Sequence, residues 1–305
     1  MKIALIILNY NNLVDTQNCI ESVLNFNSAS VKYIVVDNAS KKACRDSVGN
    51  FLAEKFSSMQ IFGENEKIDS ALPDCSYVLC EENNGYAQGN NEGLALAYQD
   101  EEIDYVMILN NDIVFIQDII PPLINILNED AKVGIVSPLL LKKDGNSIDY
   151  NCARKQTSVL QLFLEHSSLI YKFYFLKKIY DRKMVLKHID KLSGIVEIEL
   201  PSGSCMLMSK LFFKNIGSFD PNTFLYMEEN ILYEKILKTG RKNVLVLGLR
   251  AIHLGASTTK MTPSKHMLEY TKMSTIYFMR QYLRTNILAI NLMKLLFYFR
   301  LKKNS

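Results

Sequence analysis

Four apolar runs in the first half of this 305-residue chain each end in a cluster of Asn, Asp and Gly. Leu8 leads into Asn9, Tyr10, Asn11 and Asn12, and Val36 into Asp37 and Asn38. Cys80 leads into Glu81, Glu82, Asn83, Asn84 and Gly85, and Leu109 into Asn110, Asn111 and Asp112. These are ordinary turn formers, so one such cluster says little. Four in succession say more, because an open parallel sheet binds its ligands outside the carboxyl ends of its strands. Asp112 is a candidate ligand for a hard divalent cation, Mg2+ or Mn2+, which needs only one or two carboxylates when phosphate oxygens and water complete its shell. Asp37 is better suited to accept hydrogen bonds from a base or ribose.

The second half carries its own block. Pro201-Ser202-Gly203-Ser204-Cys205-Met206 is followed by Gly217 to Pro221 and by Phe224-Leu225-Tyr226-Met227-Glu228-Glu229-Asn230. Glu228 and Glu229 stand where a helix starts, a position the macrodipole favours for acids whatever their role. Gly240 closes that helix, a strand follows over Asn243 to Leu247, and Ile252-His253 comes next. A lone histidine is more often structural than chemical.

The elements that must position these residues alternate. Strands are expected at Lys2 to Leu8, Lys32 to Val36, Tyr77 to Cys80, Tyr105 to Leu109 and Val133 to Ser137, with helices over Thr16 to Asn25 and Asn90 to Tyr98. The first two strands are separated by the length of a βαβ unit, which predicts a mainly parallel α/β sheet flanked by helices. There is no G-x-G-x-x-G and no G-x-x-x-x-G-K-[ST], so neither common phosphate-binding loop is present, and a bound nucleotide would meet a cation instead.

Composition narrows the class. The apolar share of 48% is that of a globular chain, and a net charge of +3 is too small for general nucleic-acid binding. Six cysteines without a C-x-x-C pair fit neither a zinc site nor a disulfide framework, so reduced thiols and a cytoplasmic location are expected. The six apolar residues from Ile3 to Leu8 are too few for a signal-peptide core. No run reaches the roughly 18 apolar residues of a spanning helix; Ile287 to Phe299 is broken by Asn291 and Lys294.

The small net charge is a cancellation. Residues 265–305 hold eight basic side chains and one acid, and residues 166–191 hold seven basic and two acidic, so the remainder of the chain carries about −9. Treated as one ideal helix, the tail puts Arg280, Arg284, Asn291, Lys294, Tyr298 and Lys302 on one arc, with Ile276, Leu283, Ile287, Ile290, Leu296 and Phe297 opposite. That pattern suits peripheral contact with an anionic membrane, at the inner face of the plasma membrane for a cytoplasmic protein. A terminal helix packed on the sheet, or in a homodimer, is the competing reading.

Taken in order, Asn9-Tyr10-Asn11, Val35-Val36-Asp37-Asn38-Ala39-Ser40, Glu82-Asn83-Asn84-Gly85-Tyr86-Ala87 with Gly89-Asn90-Asn91, Leu109-Asn110-Asn111-Asp112, Gly203-Ser204-Cys205-Met206, Phe224 to Glu229 and His253 resemble the family 2 glycosyltransferases. The likeness covers roughly residues 1–260 and is greatest to the rhamnosyltransferase-like branch of bacterial surface-polysaccharide enzymes. It implies the GT-A type nucleotide-diphospho-sugar transferase fold over residues 1–264, with a C-terminal helical extension over 265–305. Within it, residues 1–140 would bind the nucleotide sugar, 195–264 would form the acceptor and catalytic half, and 151–194 would be a basic, aromatic helical insert.

The resemblance also implies roles. Asn9, Tyr10, Asn11, Asp37 and Asn38 would hold the nucleoside of a UDP- or dTDP-sugar, and Asn83, Asn84, Gly85, Asn90 and Asn91 would line the ribose and sugar, with Asn111 beside them. Asp112 matches the last acid of the metal-binding Asp-x-Asp motif, Glu229 the catalytic base, and His253 a histidine near the metal or diphosphate. Inverting transfer fits this set, since a carboxylate takes the proton of the attacking hydroxyl. The acceptor would be a saccharide, lipid-linked in capsule, O-antigen or related synthesis. Three positions depart from the pattern. Asn110 replaces the first acid of the motif; Glu228-Glu229 replaces the commoner Glu-Asp, leaving both as candidates for the base; and the chain has no Trp, so the Gln-x-x-Arg-Trp of processive synthases is absent, favouring single addition. A sugar nucleotidyltransferase and a non-catalytic nucleotide-sugar-binding subunit are the alternatives.

Overall fold

The computed structural model describes residues 2–167, 176–177, 181, 184–191, 193–255 and 264–303, so the basic insert predicted over 151–194 falls partly outside the described residues. The elements in chain order are β1 (Lys2–Asn9), α1 (Leu13–Phe26), β2 (Val31–Asp37), α2 (Lys42–Lys55), β3 (Met59–Gly63), β4 (Cys75–Leu79), α3 (Gly85–Ala97), β5 (Ile103–Asn110), β6 (Ile113–Phe115), α4 (Ile120–Glu129) and β7 (Val133–Lys142). They continue with β8 (Ala153–Arg154), α5 (Val159–His166), β9 (Ile195–Ile198), β10 (Leu200–Pro201), β11 (Cys205–Ser209), α6 (Lys210–Asn215), α7 (Glu228–Leu237), β12 (Lys242–His253), α8 (Ser264–Gln281) and α9 (Ile287–Lys303).

Among the described residues, ten strands form one sheet in the order β3-β4-β2-β1-β5-β11-β7-β12-β6, with β9 also paired to β12. The five strands from β3 to β5 run parallel, and β11 reverses the direction against both β5 and β7. Alternation explains why β1 reads as an unbroken apolar run. Ile3, Leu5 and Ile7 enter one core, Ala4 and Ile6 the other, so both faces of the strand are covered by protein.

Register then sets the site. Asn9 pairs with Asp37, Asp37 with Leu79, and Leu8 with Asn110, so the four polar strand ends lie at one edge of the sheet.

The C-terminal tail differs from the single amphipathic helix expected from periodicity. α8 and α9 are two helices packed on each other, and Asn286 starts the second by accepting from the Ala289 N–H at 2.9 Å. Ile276, Ile290 and Phe297, expected to face outward, are buried in a third apolar cluster with Leu162 of α5 and Ile231 of α7. The hydroxyls of Tyr277 and Tyr282 donate to Asp220 at 2.8 and 2.5 Å, fixing α8 to the body. No helix among the described residues is long and apolar enough to cross a membrane.

Candidate active site

A cleft of about 820 Å³ opens at the carboxyl edge of the sheet, and Asp112, His253, Asp149, Glu228, Glu229 and Arg154 are among its walls. Asp112 and His253 meet because β6 and β12 are antiparallel neighbours with Ile113 opposite His253, and Leu254 N–H donates to the Asp112 carbonyl at 2.9 Å. His253 Nε2 lies 3.3 Å from Asp112 Oδ2, while Nδ1 lies 3.0 Å from Asp149 Oδ2. Burial alone would lower the imidazole pKa, but the hydrogen bonds and charges of Asp112 and Asp149 outweigh it and raise the value to about 9. The same ring hydrogen bond, together with the Asn151 N–H, overcomes burial and holds the Asp149 carboxyl below its ordinary range.

These donors fit a divalent cation. Two ligands about 2.1 Å from one ion in adjacent octahedral positions are about 3 Å apart, close to the separation between the Asp112 oxygen and His253 Nε2. A carboxylate on the far ring nitrogen is also the usual support of a metal-binding histidine. With one carboxylate and one imidazole the protein supplies part of a shell, and diphosphate oxygens and water would complete it. Among the described residues, no group of three or more His, Cys, Asp or Glu is arranged to hold a metal without such help.

The two glutamates are placed by an unusual turn. Tyr226 and Met227 both adopt left-handed backbone, at φ 75° and 71°, immediately before α7. Left-handed non-glycine residues cost of order 1–3 kcal/mol each, and consecutive ones persist only where surrounding structure enforces them. Here the turn aims the first residues of α7 into the cleft. Glu229, with 20% of its side chain exposed, accepts from the Gly203 N–H at 3.0 Å and lies 3.7 Å from Arg154 Nη2. Glu228 is buried, its Oε1 has no hydrogen-bond partner among the described residues, and burial reinforced by the Glu229 charge lifts its pKa to about 8. Tyr86 donates to the Gly203 carbonyl at 2.7 Å, so one peptide segment joins α3 to the Glu229 carboxylate.

The other residues expected at the site form a hydrogen-bonded layer at the strand ends rather than walls of this cleft. Asp37 is fully buried and accepts from Ser40 N–H, Arg45 Nε, Asn9 Nδ2 and the Tyr77 hydroxyl. Its carboxylate is occupied within the protein, where it ties β1 to β2. Asn9 Oδ1 receives Thr16 and the Asn12 N–H, and Asn111 donates to the same Thr16 hydroxyl. Asn11, left-handed at φ 52°, accepts from Lys41 N–H, and Tyr10 beside it is half-buried. Asn38 donates to Asn83 Oδ1 and to the Gly85 carbonyl, which leads from Asn84 into α3. Asn90 donates to Tyr86 O, and Asn91 clamps the backbone of Phe219 through both amide atoms. These contacts set the shape of the edge against which a nucleoside would lie.

Asp149, Arg154 and the Gly203 amide are cleft groups that no sequence signal singled out. Asp149 and Arg154 lie on short, irregular pieces without periodicity, and in the sequence Gly203 is one residue of the Gly203-Ser204-Cys205-Met206 motif.

The fold is the GT-A type shared with solved glycosyltransferases. The sequence matches the profile described as glycosyl transferase family 2 over residues 4–180. The chain belongs to that family. It is 25% identical over 182 residues to the N-acetylglucosaminyl-diphospho-decaprenol L-rhamnosyltransferase of Mycobacterium tuberculosis, which agrees with the rhamnosyltransferase-like branch. It is 23% identical over 227 residues to the low-salt glycan biosynthesis hexosyltransferase Agl10 of Haloferax volcanii. These alignments take in 57% and 74% of this chain, and 54% and 59% of the respective relatives. Among solved structures, GalNAc-T7 with UDP, GalNAc and Mn2+ superposes with a TM-score of 0.59 at 13% identity, covering 90% of this chain and 48% of that one.

Proposed function

We propose that the protein is an inverting glycosyltransferase that moves a sugar from a nucleoside diphosphate donor, UDP- or dTDP-linked, to a hydroxyl of a saccharide acceptor, with Glu229 as the general base. The observation that carries this reading is the Glu229 carboxylate, steadied by the Gly203 N–H at 3.0 Å and directed into the cleft that also holds Asp112 and His253.

The chemistry asks for few groups. As the acceptor oxygen bonds to the anomeric carbon, its proton passes to Glu229, and the sugar's bond to the diphosphate breaks on the opposite face. Glu228 serves less readily, because burial and the neighbouring Glu229 charge raise its pKa and favour its protonated form. Asp112 and His253 would hold Mg2+ or Mn2+, and such an ion would supply electrostatic stabilisation to the leaving diphosphate. Arg154, Lys142 and Lys143 add positive charge to the cleft walls. Asn9, Asn11, Asn38 and Asn83 hold the strand ends that would receive the nucleoside.

Family membership favours sugar transfer over nucleotidyl transfer. The likeness to an enzyme whose name specifies a diphospho-decaprenol acceptor supports a lipid-linked saccharide here, in surface-polysaccharide assembly on the cytoplasmic face of a membrane. Residues 1–264 would make up the transferase domain and the helices after them an attachment to it. Assay of donor turnover with and without Mn2+, in the parent and in Glu229→Gln, tests the reading. Full transfer by the variant overturns the base assignment.

A further inference from the structure

α9 is apolar on two opposite faces. At about 100° per residue, Ile290, Met293 and Phe297 share one arc and are buried in the third core cluster. Leu288, Leu292, Leu295 and Phe299 follow at i, i+4, i+7 and i+11 on the opposite arc, and each is between 49% and 78% exposed. Ile287 and Tyr298, also exposed, widen the stripe. A helix that is apolar all round is normally covered all round, and an exposed apolar stripe of this continuity marks an interaction surface.

The charge around the stripe selects its partner. No Asp or Glu follows Glu269, whereas seven Lys and Arg do. Arg280, Arg284 and Lys302 are exposed, while Arg300 is turned inward to His166 Nδ1 at 3.1 Å. Two copies meeting through this face would bring two acid-free, basic helices together. Anionic headgroups offer the opposite charge, and acyl chains offer an apolar layer beneath them.

We infer that the Leu288–Leu292–Leu295–Phe299 face of α9 docks the protein on an anionic lipid surface, with the helix lying in the interface. At 17 residues and carrying Lys294 and Arg300, α9 lies on a bilayer rather than crossing it. This is the opposite face from the one periodicity pointed to, because the protein itself covers Ile290 and Phe297. Glu165 and His166 of α5, and Thr271 of α8, line the cleft, and both helices pack on α9. Delivery of a lipid-linked saccharide to Glu229 follows from this only if the transferase reading above holds; the docking itself does not depend on it.

The test is cosedimentation of the full chain with vesicles of about 30% phosphatidylglycerol in phosphatidylcholine, and with phosphatidylcholine alone, for the parent and for Leu288→Glu/Leu292→Glu/Leu295→Glu. The parent should partition at least about tenfold more strongly to the anionic vesicles, and the triple variant should lose at least about tenfold of that binding. Its melting temperature and its turnover of a water-soluble acceptor should be unchanged, because the three positions are exposed. A second variant, Arg280→Glu/Lys302→Glu, should lose the preference for anionic over neutral vesicles. Equal binding by parent and triple variant overturns the inference, as does a parent that ignores both vesicles or forms a dimer that the triple variant abolishes. Vesicle binding without sugar transfer would leave the docking standing and remove the transferase reading; transfer without vesicle binding would do the reverse.

Discussion

His253 Nε2 lies 3.3 Å from Asp112 Oδ2, a contact between the end of one strand and the residue preceding its antiparallel neighbour. Neither side chain alone is a metal site. The ring is directed by Asp149, which accepts from Nδ1 and leaves Nε2 toward Asp112.

On the proposed reading, in which Asp112 and His253 hold the cation, removing that support should weaken cation binding without removing a ligand. Asp149→Ala is expected to lower Mn2+ affinity by roughly 10- to 100-fold, measured by titration calorimetry in the presence of a nucleoside diphosphate. An unchanged affinity would show that the ring needs no such orientation.

The parts of this site that were legible in the sequence are those fixed by strand ends. A buried parallel strand is a short apolar run followed by turn residues, so Asn9, Asp37, Asn83 and Asp112 announce their own position. What was hidden depends on contacts across sequence. Asp37 looks like a ligand-facing acceptor until its four internal donors are seen, and Asp149 is an unremarkable acid until β12 brings His253 to it. The tail failed for a related reason. The break between α8 and α9 contains neither Gly nor Pro, and Asn286 is its only strong starting signal, so periodicity ran through the turn.

Gly85 is a second sharp test of the architecture. Its φ is +86°, and a Cβ there would sit 2.0 Å from the Phe224 carbonyl oxygen, the acceptor of the Tyr86 N–H. Backbone on both sides leaves nothing to yield. Gly85→Ala should destabilise the fold by at least about 2 kcal/mol in urea denaturation, and a loss below half a kcal/mol would contradict this packing.

Glu228 should leave a signature in stability against pH. Its folded pKa is raised to about 8, above the ordinary carboxylate value, so the native state binds more protons than the unfolded state between those limits. The contribution is complete below the unfolded pKa and is lost as pH rises through about 8, at up to about 1.4 kcal/mol per pH unit. Glu228→Gln should flatten the fall between about pH 5 and 8 in denaturant titrations. An identical slope in parent and variant would mean that Glu228 is ionised in the folded protein.

Gly203 couples the Glu229 carboxylate to α3. A Cβ on it would lie 2.9 Å from the Tyr86 hydroxyl and 3.0 Å from Glu229 Oε1, so Gly203→Ala should push the carboxylate from its place. Turnover should fall by roughly 10- to 100-fold with donor affinity retained, since a displacement of less than an ångström suffices to spoil a reacting geometry. Loss of donor affinity with unaltered turnover would move Gly203 to the donor side of the cleft.

In the proposed reaction Glu229, and not its neighbour, takes the proton of the acceptor hydroxyl. Single-turnover sugar transfer measured beside donor affinity, in Glu229→Gln and Glu228→Gln, separates the two. Glu229→Gln should lose about 10²- to 10⁴-fold in transfer rate with donor affinity unchanged, and Glu228→Gln far less. Transfer at the parental rate by Glu229→Gln, or the larger loss falling on Glu228→Gln, would contradict this role for Glu229.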